Sequence, residues 1–108
     1  EIWTSQMDMS GKVLVYDAAT YTLKNTINVG DEHAEVTFSA DGTKAYVSNG
    51  MSNTVTVINP STKAVEATIN VDMNPVGAWP SSIGKMFVDC EDGQSIAVID
   101  VATNTKLT

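Results

Sequence analysis

The chain has 108 residues and carries 13 carboxylate side chains against six lysines, which gives a formal charge of −7 at pH 7. This length allows at most one small domain. Six scattered cations do not form the dense basic face that nucleic acid or an anionic membrane surface requires, and no run of 18 apolar residues exists, so neither nucleic acid nor a membrane span is expected.

The N-terminal residues predict that the chain begins inside a longer polypeptide. Glu1-Ile2-Trp3 contains neither an initiator methionine nor a signal peptide. Cys90 is the single cysteine, so the sequence offers no intrachain disulfide and no cysteine-based zinc cluster.

The first well-defined predicted elements are two β-strands joined by a polar turn. Residues 13–16 are mostly apolar, as expected for a strand covered on both faces. Residues 23–29 alternate apolar and polar side chains with a period of two, which predicts a strand with one buried face. Asp17 and Thr20 lie between them, where a short polar side chain can accept backbone hydrogen bonds and close an Asx-type turn.

A second hairpin follows along the chain. Residues 34–38 lead into Asp41-Gly42, a strong hairpin signal, and residues 44–48 form the predicted return strand. Four short strands and their turns thus complete one unit of the sequence.

The unit is repeated. Thr26-Ile27-Asn28-Val29 recurs 42 residues later as Thr68-Ile69-Asn70-Val71, and residues 10–29 share eight identities with residues 52–71. A third copy follows at a spacing of 41, in which Asp100 replaces Asn59 as the turn residue. We place the missing residue between Val71 and Pro75.

Four short antiparallel strands per repeat, with no helical pattern, predict an all-β fold of β-propeller blades. The predicted units are a partial blade at 1–30, a complete blade at 31–72 and a partial blade at 73–108. Because a propeller needs about four to eight blades to close, about two and a half blades indicate an arc of a larger ring. The expected neighbours are other blades of the same polypeptide; a short protomer that closes a ring with copies of itself is the alternative.

The middle copy resembles a known repeat family. Tyr46-Val47-Ser48-Asn49, followed by residues 52–59 and 62–69, is similar to the YVTN-family propeller repeat of surface-layer and YncE-like proteins. The first and third copies depart from it, with Trp3-Thr4-Ser5-Gln6 and Phe87-Val88-Asp89-Cys90 in the corresponding places. The resemblance implies a seven-bladed, non-catalytic binding or scaffold module, outside the cell, on its surface or in the periplasm, with a protein or cell-surface partner.

Loops that open on one rim of such a propeller are the predicted binding residues. They are Asp31, Glu32, His33, Met51, Met73 and Asn74. Weak metal candidates are the soft ligands His33 and Cys90, which suit copper or a haem-facing surface, and the carboxylates Glu91 and Asp92, which suit calcium. Because metal-ligand spacing is missing in both cases, the expectation is a solvent-facing or turn-capping histidine, a structural cysteine and solvated carboxylates, with no metal or cofactor.

No catalytic set is present in the sequence. It contains no glycine-rich phosphate loop, no Gly-x-Ser-x-Gly and no Ser/His/Asp constellation. The favoured function is therefore non-catalytic. The alternative is the propeller subunit of a periplasmic redox enzyme that holds a haem, quinone or copper near the central channel, with His33 facing the cofactor.

Overall fold

The described residues form eleven β-strands in a computed structural model. The description covers residues 1–6, 11–31 and 33–108, with the backbone alone at residues 33 and 34. In chain order the strands are β1 (Ile2–Ser5), β2 (Lys12–Tyr16), β3 (Leu23–Asn28), β4 (His33–Phe38), β5 (Ala45–Asn49), β6 (Thr54–Ile58), β7 (Val65–Asn70), β8 (Pro75–Pro80), β9 (Lys85–Cys90), β10 (Ser95–Asp100) and β11 (Thr105–Lys106).

The strands build three antiparallel sheets, each from consecutive strands. The first sheet is β1-β2-β3, the second is β4-β5-β6-β7 and the third is β8-β9-β10-β11. None of the described residues forms a helix, and so none forms a helix that could cross a bilayer. The predicted all-β architecture of propeller-type blades is confirmed.

The position of the missing residue in the third copy was predicted wrongly. Phe38 pairs with Ala45 in the second sheet, and Pro80 pairs with Met86 at the matching place in the third. Pro80 therefore lies 42 residues after its counterpart Phe38, whereas Met86 lies only 41 residues after its counterpart Ala45. The turn between β8 and β9 is one residue shorter than the turn between β4 and β5, and the segment from Val71 to Pro75 has lost nothing.

The outer strand of the third sheet is short but extends by hydrogen bonding beyond β11. The backbone N–H of Leu107 donates to Val98 O at 2.7 Å, and the N–H of Val98 donates to Thr108 O at 2.8 Å. The third sheet thus has a fourth strand whose hydrogen bonding continues to Thr108.

Alternating side chains of the second sheet fill two separate cores. Along β5, Ala45 and Val47 pack against the first sheet, whereas Tyr46 packs against the third. The core between the first and second sheets consists of Val13, Val15, Ile27, Ala45, Val47 and Ile58. The core between the second and third sheets is larger and contains Tyr46, Val55, Val57, Ile69, Ala78, Met86, Val88, Cys90, Ala97, Ile99 and Val101. Burial of these apolar side chains holds the sheets together face to face.

Because every sheet is antiparallel, its connections alternate between two ends of the molecule. We call the residues at one end the lower turns: 17–22, 39–44, 59–64, 81–84 and 101–104. We call the described connections at the other end the upper loops: 29–31, 50–53, 71–74 and 91–94.

Candidate binding face

Three of the lower turns, 17–22, 59–64 and 101–104, begin with an Asp or Asn whose side chain accepts hydrogen bonds within the turn. Asp17 Oδ1 accepts hydrogen bonds from the N–H groups of Ala19 at 2.8 Å and Thr20 at 3.0 Å. Asn59 does the same in the second copy, and Asp100 accepts from the Thr103 hydroxyl at 2.6 Å in the third. The predicted Asx-type turns are confirmed at Asp17 and Asn59, while at Asp100 the carboxylate is held by a side-chain hydroxyl of the same turn.

Lysines connect neighbouring sheets at this lower end. Lys63 Nζ of the second sheet lies 3.1 Å from Glu1 Oε2, which precedes the first sheet. Lys44 Nζ donates to Val101 O at 2.6 Å and to Asn104 Oδ1 at 2.7 Å, both at the end of the third sheet. Each lysine therefore spans one inter-sheet boundary.

Hydrogen bonding and burial shift the pKa values of groups at the lower end. The hydroxyl of Thr43, together with its N–H and the hydroxyl of Ser39, lowers the pKa of Asp41 to about 2. Burial, and to a lesser extent the charges of Asp41 and Glu66, raises the pKa of Tyr46 to about 12. The carboxylate of Asp41 is thus engaged in the turn, and the phenol of Tyr46 is held neutral in the core.

The upper loops are tied together across sheet boundaries. Asp31 N–H donates to Ser52 Oγ at 2.9 Å, and Asn74 N–H donates to Asn53 Oδ1 at 3.0 Å. These two bonds join loops 29–31 and 71–74 to loop 50–53. Three connections that are distant in sequence therefore act as one structural unit.

Loop 91–94 joins the same unit through the backbone. Glu91 N–H donates to Asn74 O at 3.0 Å, and Gly93 N–H donates to Met73 O at 3.1 Å. A Cβ on Gly93 would lie 2.8 Å from the Cβ of Asp72 and 3.1 Å from the backbone nitrogen of Met73. Only glycine lets these two loops approach so closely.

A cleft of about 290 Å³ lies within this linked group of loops. It is lined by Gly50, Met51, Asn53, Met73, Asn74 and Asp92. The side chains of Met51 and Met73 remain 59% and 57% exposed. Two exposed thioether chains beside one cleft form a flexible apolar surface of the kind that accommodates varied partners.

Charge is distributed unequally between the two ends. In the described upper loops the charged residues are all carboxylates: Asp31, Asp72, Glu91 and Asp92. Lys12 begins β2 at this end, and Lys106 approaches Asp72 at 4.0 Å. The other four described ion pairs, Lys24–Glu1, Lys63–Glu1, Lys44–Glu66 and Lys85–Asp100, lie towards the lower end. The upper face is therefore acidic, while the cations at the lower end are largely paired.

The structure brings several of the predicted rim residues together. Met51, Met73 and Asn74 line the cleft, and the exposed Asp31 is bonded through its N–H to Ser52, which lies in the same loop as Met51. Glu32 and the side chain of His33 lie outside the described residues. That these residues bind a partner stays a prediction.

The weak metal candidates occupy different environments. Cys90 is fully buried in the larger core, its Sγ lies 3.9 Å from Val88 O, and burial raises the pKa of the thiol. Glu91 and Asp92 are exposed, and Asp92 lines the cleft. No group of three histidine, cysteine or carboxylate side chains within the described ranges is arranged to hold a metal ion. A metal role stays untested, and the geometry of Cys90 is that of a packed core residue.

Sequence reasoning missed the residues that organise the upper loops. Asn53 adopts a left-handed backbone conformation with φ of 54°, and Gly11, 42 residues earlier, has φ of 62°. The exchange of glycine and asparagine at one repeat position is a signal that could have marked Asn53, because both residues tolerate positive φ. Gly93 gave no such signal, since its role depends on contact with another loop.

The stacked antiparallel sheets, of three, four and four strands, and their linked rim loops define a segment of a β-propeller. No protein-family model matches the chain, and no curated protein matches it. Among solved structures it is similar to hydrazine synthase of Kuenenia stuttgartiensis, with a TM-score of 0.83 and 26% identity over 90% of this chain. It is also similar in fold to a protein of unknown function from Bacteroides caccae, with a TM-score of 0.70 and 14% identity over 93% of the chain.

A third similar structure is a protein from Bacteroides uniformis ATCC 8492 that is provisionally named a 6-phosphogluconolactonase. Its TM-score is 0.72, at 20% identity over 92% of the chain. The chain spans 28%, 42% and 33% of the three neighbours, in the order given. The two Bacteroides proteins therefore indicate the fold alone.

Proposed function

We propose that the chain is part of a non-catalytic β-propeller that binds a partner through its upper loops. The observation that carries the proposal is the cleft in which Met51 and Met73 are exposed while the surrounding loops are fixed by hydrogen bonds. A surface that is already ordered loses little conformational entropy when a partner binds. Exposed apolar side chains within an ordered polar rim are typical of recognition surfaces.

The proposed setting is a larger, seven-bladed ring located outside the cell, on its surface or in the periplasm. Its expected partners are further blades of the same polypeptide or copies of this chain, together with a protein or cell-surface ligand. Support comes from the open flank of the third sheet. In the second sheet Tyr46 pairs with Val57, and these two side chains are buried against the third sheet. Phe87 and Val98 form the equivalent pair on the open flank of the third sheet. Trp79 on the same flank is 54% exposed, which favours a covering sheet.

A second candidate is the propeller portion of a redox enzyme, with a haem, quinone or copper near the central channel. It is favoured by the likeness to hydrazine synthase, at a TM-score of 0.83 and 26% identity. The side chains that would hold such a group are not identified among the described residues, so the candidate rests on that likeness.

The two candidates differ in what the complete polypeptide contains. Optical absorption and metal analysis of the full-length protein, purified from its native source, distinguish them. A colourless, metal-free protein supports the binding module and removes the redox candidate. A haem or quinone band, or stoichiometric copper, would overturn the binding module as the principal function.

A further inference from the structure

We infer that the cleft between the upper loops accepts a cationic polypeptide segment that inserts one apolar side chain between Met51 and Met73. This inference rests on the proposed binding function and names the chemistry of the partner. It follows from three properties of the cleft: its size, the two exposed methionines in its lining and the sign of the charge around it.

The size of the cleft leaves room for an inserted side chain. The cleft measures about 290 Å³ and is bounded by three loops, at residues 50–53, 71–74 and 91–94. The bonds Asn74 N–H to Asn53 Oδ1 and Gly93 N–H to Met73 O fix these walls relative to each other. Because the walls are held in place, an inserted group need not order them.

The apolar lining comes from the two methionines. Met51 and Met73 belong to consecutive connections at the upper end, and both leave more than half of their surface in water. Covering such surface with an apolar side chain is favourable, and the unbranched thioether chain can adapt to several shapes. Leucine, methionine or an aromatic residue in the partner would satisfy this requirement.

The sign of the charge selects the residues that flank this anchor. Asp92 lines the cleft, Asp72 lies in the same loop as Met73, and Asp31 and Glu91 lie on the adjoining loops. Lys106 lies 4.0 Å from Asp72, and no lysine among the described residues pairs with Asp31, Glu91 or Asp92, so these loops carry a net negative charge. A segment with lysine or arginine on both sides of its apolar residue is complementary to this field, and an acidic segment is repelled by it.

The test uses the full-length protein and a short synthetic peptide in which one leucine is flanked by lysines. Fluorescence anisotropy measures its affinity at low and moderate salt. Two comparison peptides replace the leucine with serine or the lysines with glutamates. The expected result is binding of the first peptide, weakened by salt, with at least about tenfold weaker binding of the serine peptide and no binding of the glutamate peptide.

Variants at the two ends of the molecule locate the interaction. Met51→Ser with Met73→Ser, and separately Asp92→Asn, are expected to weaken peptide binding, the methionine pair by about tenfold or more. Met51→Leu with Met73→Leu keeps the apolar area and is expected to retain binding. The lower-end controls are Ile83→Ser, at a residue that is 73% exposed, and Asp17→Asn, since Asn59 fills the same turn position.

Each outcome decides the inference. Loss of binding in the upper variants alone supports it. Equal effects at both ends, or retained binding in the methionine-to-serine pair, would show non-specific attraction and overturn it. Absence of binding by the leucine–lysine peptide, or preference for the glutamate peptide, also overturns it. If the protein is colourless and metal-free but does not bind the cationic peptide, this inference fails while the proposed binding function stands, with a partner of other chemistry. Circular dichroism of every variant confirms that it is folded.

Discussion

The two ends of the molecule differ in what is repeated. At the lower end, Asp17, Asn59 and Asp100 close the same kind of turn in all three sheets, and lysines pair with carboxylates or carbonyls across the sheet boundaries. At the upper end, the described loops repeat the left-handed backbone at Gly11 and Asn53 but surround a cleft with side chains that do not repeat, namely the exposed Met51 and Met73 and the carboxylate of Asp92. The lower end therefore maintains the fold, while the upper end is where we propose that a ligand binds.

The largest expected effect comes from separating the upper loops. Gly93→Ala places a Cβ 2.8 Å from the Cβ of Asp72, so loop 91–94 must move away from loop 71–74. We expect a loss of about 1–3 kcal/mol in the free energy of unfolding and at least about tenfold weaker binding of the leucine–lysine peptide. Urea unfolding and peptide anisotropy measure the two quantities.

The matched control is Gly42→Ala in a lower turn. Gly42 has φ of 73° and open space around the position of a Cβ, so the substitution introduces backbone strain of about 1 kcal/mol without a steric clash. Peptide affinity is expected to be unchanged. If Gly42→Ala weakened peptide binding as much as Gly93→Ala does, the functional difference between the two ends of the molecule would be refuted.

The next effect is the loss of one lower turn. Asn59→Ala removes the oxygen that accepts from Ser61 N–H at 2.9 Å and Thr62 N–H at 3.3 Å. The expected cost is about 1 kcal/mol of unfolding free energy, with no change in peptide affinity. Asn59→Asp is expected to cost less, because Asp17 performs this role in the first copy. Thermal or urea unfolding decides the ranking, and equal losses would contradict the Asx-turn role.

A smaller effect is expected from acid. The pKa of Asp41 is lowered from 3.8 to about 2 in the folded protein, so its contribution to stability is present above pH 3.8 and is lost as the pH falls to about 2. Asp41→Asn keeps an acceptor oxygen without the charge. We expect the urea midpoint of this variant to depend less on pH across that interval than the midpoint of the parent. If the urea midpoints of the two proteins changed equally with pH, the lowered pKa of Asp41 would be contradicted.

The smallest effect at neutral pH is expected at Tyr46. Its hydroxyl is fully buried and has no hydrogen-bond partner among the residues the structure describes. Tyr46→Phe should therefore change the free energy of unfolding by no more than about 1 kcal/mol.

Alkaline titration tests the same residue independently. The folded pKa is raised from 10 to about 12, so the stabilisation due to the neutral phenol is complete below pH 10 and is lost as the pH rises towards 12. In Tyr46→Phe the free energy of unfolding should therefore decrease less between pH 10 and pH 12 than in the parent. Ultraviolet difference spectra of the folded parent should show a tyrosine that ionises near pH 12. Ionisation of all its tyrosines near pH 10 would contradict the burial of Tyr46.

The strands and lower turns could be predicted because their causes are local. Period-two alternation in residues 23–29 and 65–71 marks a strand with one buried face, and a turn closed by Asp17 or Asn59 involves neighbours only two or three residues away. Because these signals recur with the repeat, they predict the antiparallel, blade-like architecture.

The linked upper loops could not be predicted because their contacts join distant residues. Asn53 and Asn74 are 21 positions apart, and so are Asp31 and Ser52. Such pairs meet only after the sheets have stacked, so no local pattern records them. The missing residue of the third copy was misplaced for a different reason. Ser81 and Gly84 repeat Ser39 and Gly42 at a spacing of 42, a signal in the sequence that places the deletion after Gly84, in agreement with the strand pairing.

Hydrogen–deuterium exchange of the full-length protein with the leucine–lysine peptide tests the central claim most directly. The account predicts slower exchange in residues 50–53, 71–74 and 91–94 when the peptide is bound, with no change in the lower turns at 17–22 and 59–64. Protection confined to the lower turns, or no protection anywhere while the peptide is bound, would contradict the assignment of the upper loops as the binding face.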